Sequence, residues 1–329
     1  MTAEAANAGV DDARPLRRLQ RLVRTLIGGN RRFRESAAPE PHTVFSRFAS
    51  YEGWAEPGFE RGFYGINIRD WLYLGQSKGF TDRRAVHVGH PSVDEEYFEW
   101  IALLGAISAA RGRFCMAELG AGWGRWMASA AVLCRQKGIE FSLIGVEAEP
   151  SHFEWMKMVL RDNGVDPDRH HLVQAAVADR DGEVILTGPD TPLTVWGHRT
   201  VRPDEVPAWE TLPGYMFWTV PGRSLQTLFA AHDYIDLVDL DVQGVEYDIL
   251  APAFDTLNAK VGIVHIGTHS REVEKSLTKA FRANRWRNAF SYPSHSDTNT
   301  MFGRVTFTDG VQTWVNPRHP ELLSVLLDR

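Results

Sequence analysis

The middle of the chain alternates between short apolar runs and amphipathic segments with helical spacing. Patterns typical of buried strands and of helices alternate at 114–119, 124–137, 141–146, 151–163 and 171–177. Strands and helices joined by short connections are typical of a doubly wound, mostly parallel sheet. The pattern therefore predicts an α/β fold, with its main domain over residues 91–329.

Further elements are predicted on both sides of this region. The segment DEEYFEWIALLGAISAARGRF begins with acids and ends with arginines, which is the charge order that a helix dipole favours. Towards the C-terminus, YIDLVDLD and VGIVHIGT are typical of buried strands, and a helix is predicted over 271–283. MFGRVTF and VQTWVN on either side of Asp309-Gly310 predict an antiparallel hairpin at one edge of the sheet.

Two segments depart from the alternation. Residues 1–90 combine an arginine-rich arm with an aromatic-rich extension. The rings of this extension either form a lid or an oligomer contact packed against the core, or line an acceptor pocket. Residues 187–222 are rich in proline and contain Trp196, Trp209 and Trp218. Long insertions in compact domains are often functional, so this one is interpreted as a lid, with ordinary packing as the alternative.

Composition narrows the class of protein. The chain has 329 residues, 43% hydrophobic side chains and a net charge of -6, which argues against a general nucleic-acid partner. The two cysteines, Cys115 and Cys134, make no disulfide framework, so a reducing, cytoplasmic setting is expected. No apolar run of membrane-spanning length and no signal-peptide pattern is found in the sequence.

The stretch MAELGAGWGRW places three glycines at alternate positions where the first strand meets a helix. A loop of Gly120, Ala121 and Gly122 lets a ligand approach the backbone, because no large side chain stands in the way. The spacing differs from the G-x-G-x-x-G of dinucleotide-binding loops. Glu118 precedes the loop, and its negative charge suits a ligand with an ammonium group better than a phosphate.

Acids also follow the next two strands. Glu147 and Glu149 end the second strand, where a carboxylate binds ribose hydroxyls in this class of fold. Asp179 follows the third strand, where it can accept a hydrogen bond from an adenine amine. A nucleoside joined to an amino-acid zwitterion fits these residues and Glu118, which favours S-adenosylmethionine over NAD.

Four blocks in order, MAELGAGWGRW, VEAEP, HLVQAAVADRDGEV and IDLVDLDVQGVEYDIL, resemble the FkbM family of S-adenosylmethionine-dependent methyltransferases over about residues 95–315. The resemblance implies a Rossmann-like class I methyltransferase architecture and O-methylation of sugars or other small hydroxylated acceptors. By position it implies that Glu118, Gly120 and Gly122 form the cofactor loop and that Glu149 is the ribose acid. It also implies that Asp179 is the acid beside the adenine and that Asp241 is the acid after strand four.

The sequence departs from the family pattern on the acceptor side. The family's D-x-E-G-x-E after strand four is Asp241-Val242-Gln243-Gly244-Val245-Glu246 here, so an amide replaces a carboxylate at Gln243. Strand five ends in HIGTH, without the acid that the family tends to have near its histidine. Asp239 stands where a lysine is usual.

Methyl transfer to an alcohol needs an aligned acceptor and a base that takes its proton. His269 is the predicted general base, with a purely structural role as the alternative. Asp241 is predicted either to orient the acceptor or to contact the methionyl end of the cofactor. A magnesium ion held by Asp239, Asp241, His265 and His269 is a further alternative, and the metal-free interpretation is preferred.

The sequence thus predicts a methyltransferase that acts on a hydroxyl of a small molecule, with a carbohydrate-containing acceptor. Two alternatives stay open: a catalytically silent, cofactor-binding scaffold and a nicotinamide-dependent oxidoreductase. The missing G-x-G-x-x-G spacing counts against the oxidoreductase. A homo-oligomer is compatible with the sequence.

Overall fold

Short strands and turns precede the first long helix. A computed structural model of the chain describes residues 40–72, 76–189, 197–201 and 214–328. In it, single turns of 3-10 helix occupy Thr43–Arg47 and Phe63–Gly65. Two antiparallel pairs form the rest of this region, β1 (Tyr51–Ala55) with β4 (Arg84–Val88) and β2 (Phe59–Arg61) with β3 (Asn67–Arg69).

The alternating elements of the central region lie where the sequence predicts them. They are α1 (Tyr97–Ala109), β5 (Arg113–Leu119), α2 (Arg125–Lys137), β6 (Glu140–Glu147), α3 (Pro150–Asp162), a 3-10 turn (Pro167–Arg169) and β7 (His171–Gln174). The predicted strand over 171–177 is divided, because its last residues form a separate strand, β8 (Ala176–Val177). The predicted strand therefore contributes to two different sheets.

The second sheet has four strands in the order β10-β9-β11-β8. Its remaining strands are β9 (Gly182–Pro189), β10 (Arg199–Val201) and β11 (Tyr215–Arg223). The described parts of the predicted insertion, the start of which overlaps β9, thus include regular strands. Trp196 and Trp209 lie outside the described residues, whereas the ring of Trp218 packs 5.6 Å from that of His198.

The remaining elements complete the main sheet and its helical layers. They are α4 (Leu225–Leu228), β12 (Ile235–Leu240), α5 (Glu246–Leu250), a 3-10 turn (Ala251–Ala253), α6 (Phe254–Lys260), β13 (Val261–Thr268), α7 (Arg271–Ala283), β14 (Arg287–Tyr292), β15 (Ser296–Thr300), β16 (Gly303–Phe307), β17 (Gly310–Val315) and α8 (Glu321–Leu327). The helical pattern of GVEYDILAPAF is interrupted at Pro252, because proline has no backbone N–H to donate.

The main sheet has seven strands in the order β14-β17-β13-β12-β5-β6-β7. Within this sheet the five strands β7, β6, β5, β12 and β13 run parallel to one another, and β17 is antiparallel to both β13 and β14. The predicted doubly wound α/β fold with an antiparallel C-terminal part is confirmed. The strand order changes direction at β5, which has β6 on one side and β12 on the other, and ligands bind at such switch points.

The pairing of the C-terminal hairpin was predicted wrongly. Strand β16 pairs with β15, and β17 enters the main sheet between β13 and β14. All six residues of β17 are buried, as suits a strand covered on both faces, whereas β16 alternates between exposed and buried residues. The hairpin at Asp309-Gly310 is therefore not formed, and β17 is not an edge strand.

Helices cover both faces of the main sheet. Side chains of α1, α2, α3 and α8 pack with one face in a first core, and those of α5, α6 and α7 pack with the other face in a second core. Several of the aromatics also pack against one another: the ring centroids of Tyr64 and Trp100 are 5.4 Å apart in the first core, and those of Trp71 and Trp155 are 5.6 Å apart in a smaller cluster. None of the helices in the described part of the chain is long and apolar enough to cross a membrane.

Candidate active site

A cleft opens where β5, β6 and β12 end. The residues that line it come from the glycine loop, the end of β6, the second sheet and the segment after β12: Gly120, Ala121, Gly122, Trp123, Arg125, Trp126, Val146, Glu147, Ala148, His152, Ala175, Ala176, Val177, Leu186, His198, Thr200, Asp241, Val242 and Gln243. The cleft lies at the topological switch point, so its place agrees with the general rule for ligand sites in such sheets.

Gly120 lies at the point where two main-chain segments pass each other. Its φ is +79°, and a Cβ built on it would lie 1.9 Å from the carbonyl oxygen of Asp241. The N–H groups of Gly120 and Ala121 both donate to the carbonyl oxygen of Val146, at 3.0 and 2.9 Å. Glycine is therefore required at 120 by the crossing of the protein's own backbone, before any ligand is considered.

Glu147 links the glycine loop to the end of β6. Its carboxylate accepts hydrogen bonds from the N–H of Gly122, at 2.7 Å, and of Glu149, at 2.8 Å. Burial raises the pKa of Glu147 to about 7, although these two hydrogen bonds favour its charged form. A carboxylate oxygen has two lone pairs, so each oxygen can still accept a further hydrogen bond from a molecule in the cleft.

The structure brings one of the two predicted ribose acids to the cleft. Glu149 is 4% exposed and is the N-cap of α3, where its carboxylate accepts from the N–H of His152 at 2.6 Å. It is not among the residues that line the cleft, and neither is Asp179, which is exposed after β8. Glu147 is thus the acid of this group that faces the cleft.

Glu118 interacts with the first turn of α2. It is 4% exposed, and its carboxylate accepts from the N–H groups of Trp126, at 3.2 Å, and Met127, at 2.8 Å. Burial and the nearby Asp239 carboxylate raise the pKa of Glu118 well above its usual value. The side chain satisfies N–H groups that have no partner within the helix, and it does not line the cleft.

A histidine and its acidic neighbours lie beside the cleft. Nδ1 of His269 is 2.7 Å from Oε1 of Glu246, and Nε2 is 3.3 Å from Oδ1 of Asp241 and 3.8 Å from Oδ1 of Asp309. Asp241 lines the cleft with 47% of its side chain exposed, whereas Nε2 of His269 is buried behind it. Of this group, Asp241 is the residue that a molecule in the cleft can reach.

The charges of His269 and Asp241 follow from the groups around them. Burial lowers the pKa of His269, but Glu246, Asp241 and Asp309 together raise it to about 9. Partial desolvation in the cleft and the nearby Asp309 and Glu246 carboxylates raise the pKa of Asp241 to about 6, against the opposing effect of His269. At neutral pH the imidazole is therefore protonated and the carboxylate ionised, which makes the two an ion pair.

The four residues of the magnesium alternative divide into two clusters. Asp239 and His265 lie with Glu99, and Asp241 and His269 lie with Glu246; in each cluster the ligand atoms are within 4.8 Å of one another. The strand geometry that would keep all four together ends with β12 at Leu240 and with β13 at Thr268.

Sequence reasoning did not identify Glu99, Glu246 or His198 as site residues. Glu99 had a usable signal, because it is the only charged residue in YFEWIALLGAISA, the sequence of α1. Glu246 had a weaker one, since it is the last acid of the motif after β12. His198 had none, because only the folding of β10 against β9 brings it to the cleft.

The fold and the cleft define an α/β protein with a candidate ligand site at the C-terminal ends of its parallel strands. No family model matches the chain. A protein of Jannaschia sp. (strain CCS1), described as "Putative methyltransferase", is 27% identical over 281 aligned residues, and the alignment covers 83% of this chain and 98% of the relative. The predicted class is confirmed: the chain is a methyltransferase with a Rossmann-like class I fold.

Solved structures resemble the chain more distantly. The methyltransferase FkbM of Methylobacillus flagellatus KT is 13% identical, with a TM-score of 0.39 over 63% of this chain and 45% of that one. The alignment thus spans less than half of that structure. The precorrin-6Y C5,15-methyltransferase of Geobacter metallireducens GS-15 is 10% identical, with a TM-score of 0.36 over 68% of this chain and 90% of that one. Membership of the FkbM family stays a prediction.

Proposed function

We propose that the chain is an S-adenosylmethionine-dependent O-methyltransferase of a small molecule, with a sugar or glycosylated metabolite as acceptor. One observation carries the proposal: a single cleft holds the bare backbone of Gly120 and Gly122, the Glu147 carboxylate and the ionised Asp241. The acceptor class rests on the resemblance to the FkbM family, and so does the choice of oxygen as the methylated atom.

The residues around the glycine loop fit S-adenosylmethionine. Glu147 has acceptor capacity left for the ribose hydroxyls, and it ends the second parallel strand, where a nucleotide's ribose binds in such sheets. Apolar side chains of Val177 and Leu186 line the same cleft and suit a purine ring. S-adenosylmethionine, when bound, supplies a methyl group on a positively charged sulfur.

The other predicted cofactor residues would act indirectly. Glu118 would hold the first turn of α2 in place beside the loop, and Glu149 would fix the start of α3 after Glu147. Asp179 would require a movement of its turn to reach the cleft, because its side chain is 45% exposed outside it. We therefore assign direct cofactor contact to Gly120, Ala121, Gly122 and Glu147.

We propose that Asp241, and not the predicted base His269, takes the proton from the acceptor hydroxyl. Asp241 is ionised at neutral pH and exposed in the cleft, whereas Nε2 of His269 is buried and already carries a proton. His269 would be a positioning residue: Glu246 fixes its ring, and its positive charge holds the Asp241 carboxylate in place. A base needs both reach and the correct protonation state, and Asp241 has both.

A silent, cofactor-binding scaffold is the second candidate. It is favoured by Gln243, whose amide donates to Oδ1 of Asp241 at 2.9 Å, on the same oxygen that faces His269. The other carboxylate oxygen, Oδ2, has no hydrogen bond among the described residues. The scaffold and the enzyme differ in turnover, so methyl transfer decides between them.

The cofactor is tested by thermal unfolding with S-adenosylhomocysteine, and NADH serves as the control. A ligand at about 100 times its dissociation constant stabilises by about 2.7 kcal/mol, so we expect a rise in melting temperature with S-adenosylhomocysteine alone. A rise with NADH instead, or no rise with either, would contradict the proposal. Transfer of labelled methyl from S-adenosylmethionine to a panel of free and glycosidic sugars then tests the acceptor; binding without transfer to any pool would favour the scaffold.

A further inference from the structure

A row of polar side chains crosses the main sheet beneath α1. Glu118, Asp239, His265 and Thr313 are paired in register on four neighbouring strands, β5, β12, β13 and β17. Two positions earlier, Met116, Leu237 and Ile263 pack in the core that α1 covers, and side chains alternate between faces along a strand. The whole row therefore points into the layer between the sheet and α1, where it is 0–7% exposed.

Helix α1 adds a carboxylate to this row. Glu99 lies in the first turn of α1 and is half-buried, in a helix in which ten of thirteen residues are buried. Its carboxylate oxygen, an oxygen of Asp239 and a ring nitrogen of His265 all lie within 4.8 Å of one another. Neither carboxylate has a hydrogen bond among the residues that the structure describes. Two acids that face each other without donors either hold a proton between them or bind a cation.

His265 supplies an independent indication of a ligand. Nδ1 lies 2.8 Å from Oγ1 of Thr313, while Nε2 is buried and has no partner in the described part of the chain. When the Nδ1 proton is donated to Thr313, Nε2 keeps a lone pair. An outer hydrogen bond that fixes the tautomer and direction of a histidine ring is typical of metal ligands.

We propose that Glu99, Asp239 and His265 bind one divalent transition-metal cation, of which Mn²⁺ is the probe used here. Two carboxylates and one imidazole are ligands that such cations accept. Carboxylate and imidazole ligands lie about 2.0–2.2 Å from a bound Zn²⁺, so two of them are at most about 4.4 Å apart. The 4.8 Å limit of this cluster is thus close to closure. The site is independent of the methyl-transfer proposal, because metal binding is measured directly.

The second cluster is the less suitable of the two. His269 donates from Nδ1 to Glu246 and carries a positive charge at neutral pH, so a cation would have to displace a proton from it. His265 has no such obstacle. His269→Gln is therefore the matched control: it alters a histidine beside carboxylates at the same edge of the sheet but leaves the proposed ligands in place.

The test is a titration of chelator-treated, full-length protein with MnCl₂, followed by the electron paramagnetic resonance signal of free Mn²⁺. We expect one bound ion per chain in the parent and in His269→Gln. Loss of an outer hydrogen bond typically weakens a metal site about 10- to 100-fold, so we expect that loss for Thr313→Val and a larger one for Glu99→Gln. Glu99→Gln keeps the shape of the side chain and removes a charge from a buried acidic pair, so it should fold.

Two results would overturn the proposal. The first is that the parent binds no stoichiometric Mn²⁺ and that ZnCl₂ also leaves its melting temperature unchanged. The second is binding that Glu99→Gln leaves unchanged, or that His269→Gln abolishes, since either would place the ion elsewhere. Retained binding in His269→Gln together with lost binding in Glu99→Gln supports the assignment, whatever the methyl-transfer rate of either variant.

Discussion

The backbone of Gly120 passes so close to that of Asp241 that a Cβ on Gly120 would lie 1.9 Å from the Asp241 carbonyl oxygen. We expect Gly120→Ala to destabilise the fold by about 2–5 kcal/mol. About 1–2 kcal/mol of this comes from the left-handed conformation, and the rest comes from forcing the two segments apart. Urea unfolding of the parent and the variant measures the difference.

Gly138→Ala is the matched control for this prediction. Gly138 also has a positive φ, +66° against +79°, but a Cβ built there would meet no described atom within 4 Å. This variant should therefore lose only the conformational part, about 1–2 kcal/mol. Equal losses at the two positions would show that the contact with Asp241 contributes nothing.

Variants of Glu147 and Glu149, at the end of β6 and just after it, should differ in their effects on ligand binding and on stability. Glu147→Ala removes the carboxylate that faces the cleft, and we expect S-adenosylhomocysteine to bind roughly 10- to 100-fold more weakly, because a hydrogen bond to a charged group contributes about 1.5–3 kcal/mol. Glu149→Ala removes the N-cap of α3 and should cost about 1 kcal/mol of stability with little change in affinity. Calorimetry and urea unfolding give the two quantities, and a weaker affinity only in Glu149→Ala would restore the ribose role to Glu149.

The same acids show how far a sequence pattern can locate a site. The apolar run over 141–146 was enough to end the predicted strand next to Glu147 and to place Glu147 at the ligand edge of the sheet. It could not tell which of two acids, two positions apart, faces the cleft, because that depends on where the strand ends and the helix begins. Glu149 lies beyond the end of the strand, and its carboxylate accepts a hydrogen bond from the N–H of His152 in the first turn of α3.

Contacts between distant segments were harder to predict than elements. Asp239 and His265 were recognised as candidate ligands, yet Glu99 was not, because only the packing of α1 on the sheet brings it to them. The predicted pairing of β17 was wrong for a similar reason. A turn signal at Asp309-Gly310 is local, whereas the burial of all six residues of β17 depends on two other strands and their helices.

The pH dependence of methyl transfer distinguishes the two possible bases. A base acts only when deprotonated, so the rate rises with pH through the pKa of that group. If Asp241 takes the proton, the rate should rise through about pH 6 and be level at pH 7–8. If His269 takes it, the rate should still be rising through about pH 9. Initial rates at saturating acceptor, measured in chelator-treated buffer, give the profile.

Variants test the same assignment without a titration. Asp241→Asn should lower kcat at least 100-fold with a small effect on S-adenosylhomocysteine affinity, because general base catalysis typically contributes about 10²–10⁴-fold. A large loss of cofactor affinity instead would move Asp241 to the methionyl end of the cofactor. His269→Gln should reduce kcat less and should raise the pH of half-maximal rate above about 6, because the positive charge of His269 lowers the pKa of Asp241 but His269 does not itself take the proton.

The charge of His269 should also appear in the stability of the fold. Its pKa is raised in the folded chain from 6.5 to about 9, so the stabilisation from its partners Glu246 and Asp241 is complete below about pH 6.5 and is lost as the pH rises through about 9. The shift corresponds to stabilisation on the order of 3 kcal/mol. Urea unfolding of the parent and of His269→Gln between pH 6 and 10 measures this, and the gap between the two should narrow as the pH rises. A gap that stays constant over this range would mean that His269 is neutral in the folded chain, and it would return to His269 the role of general base.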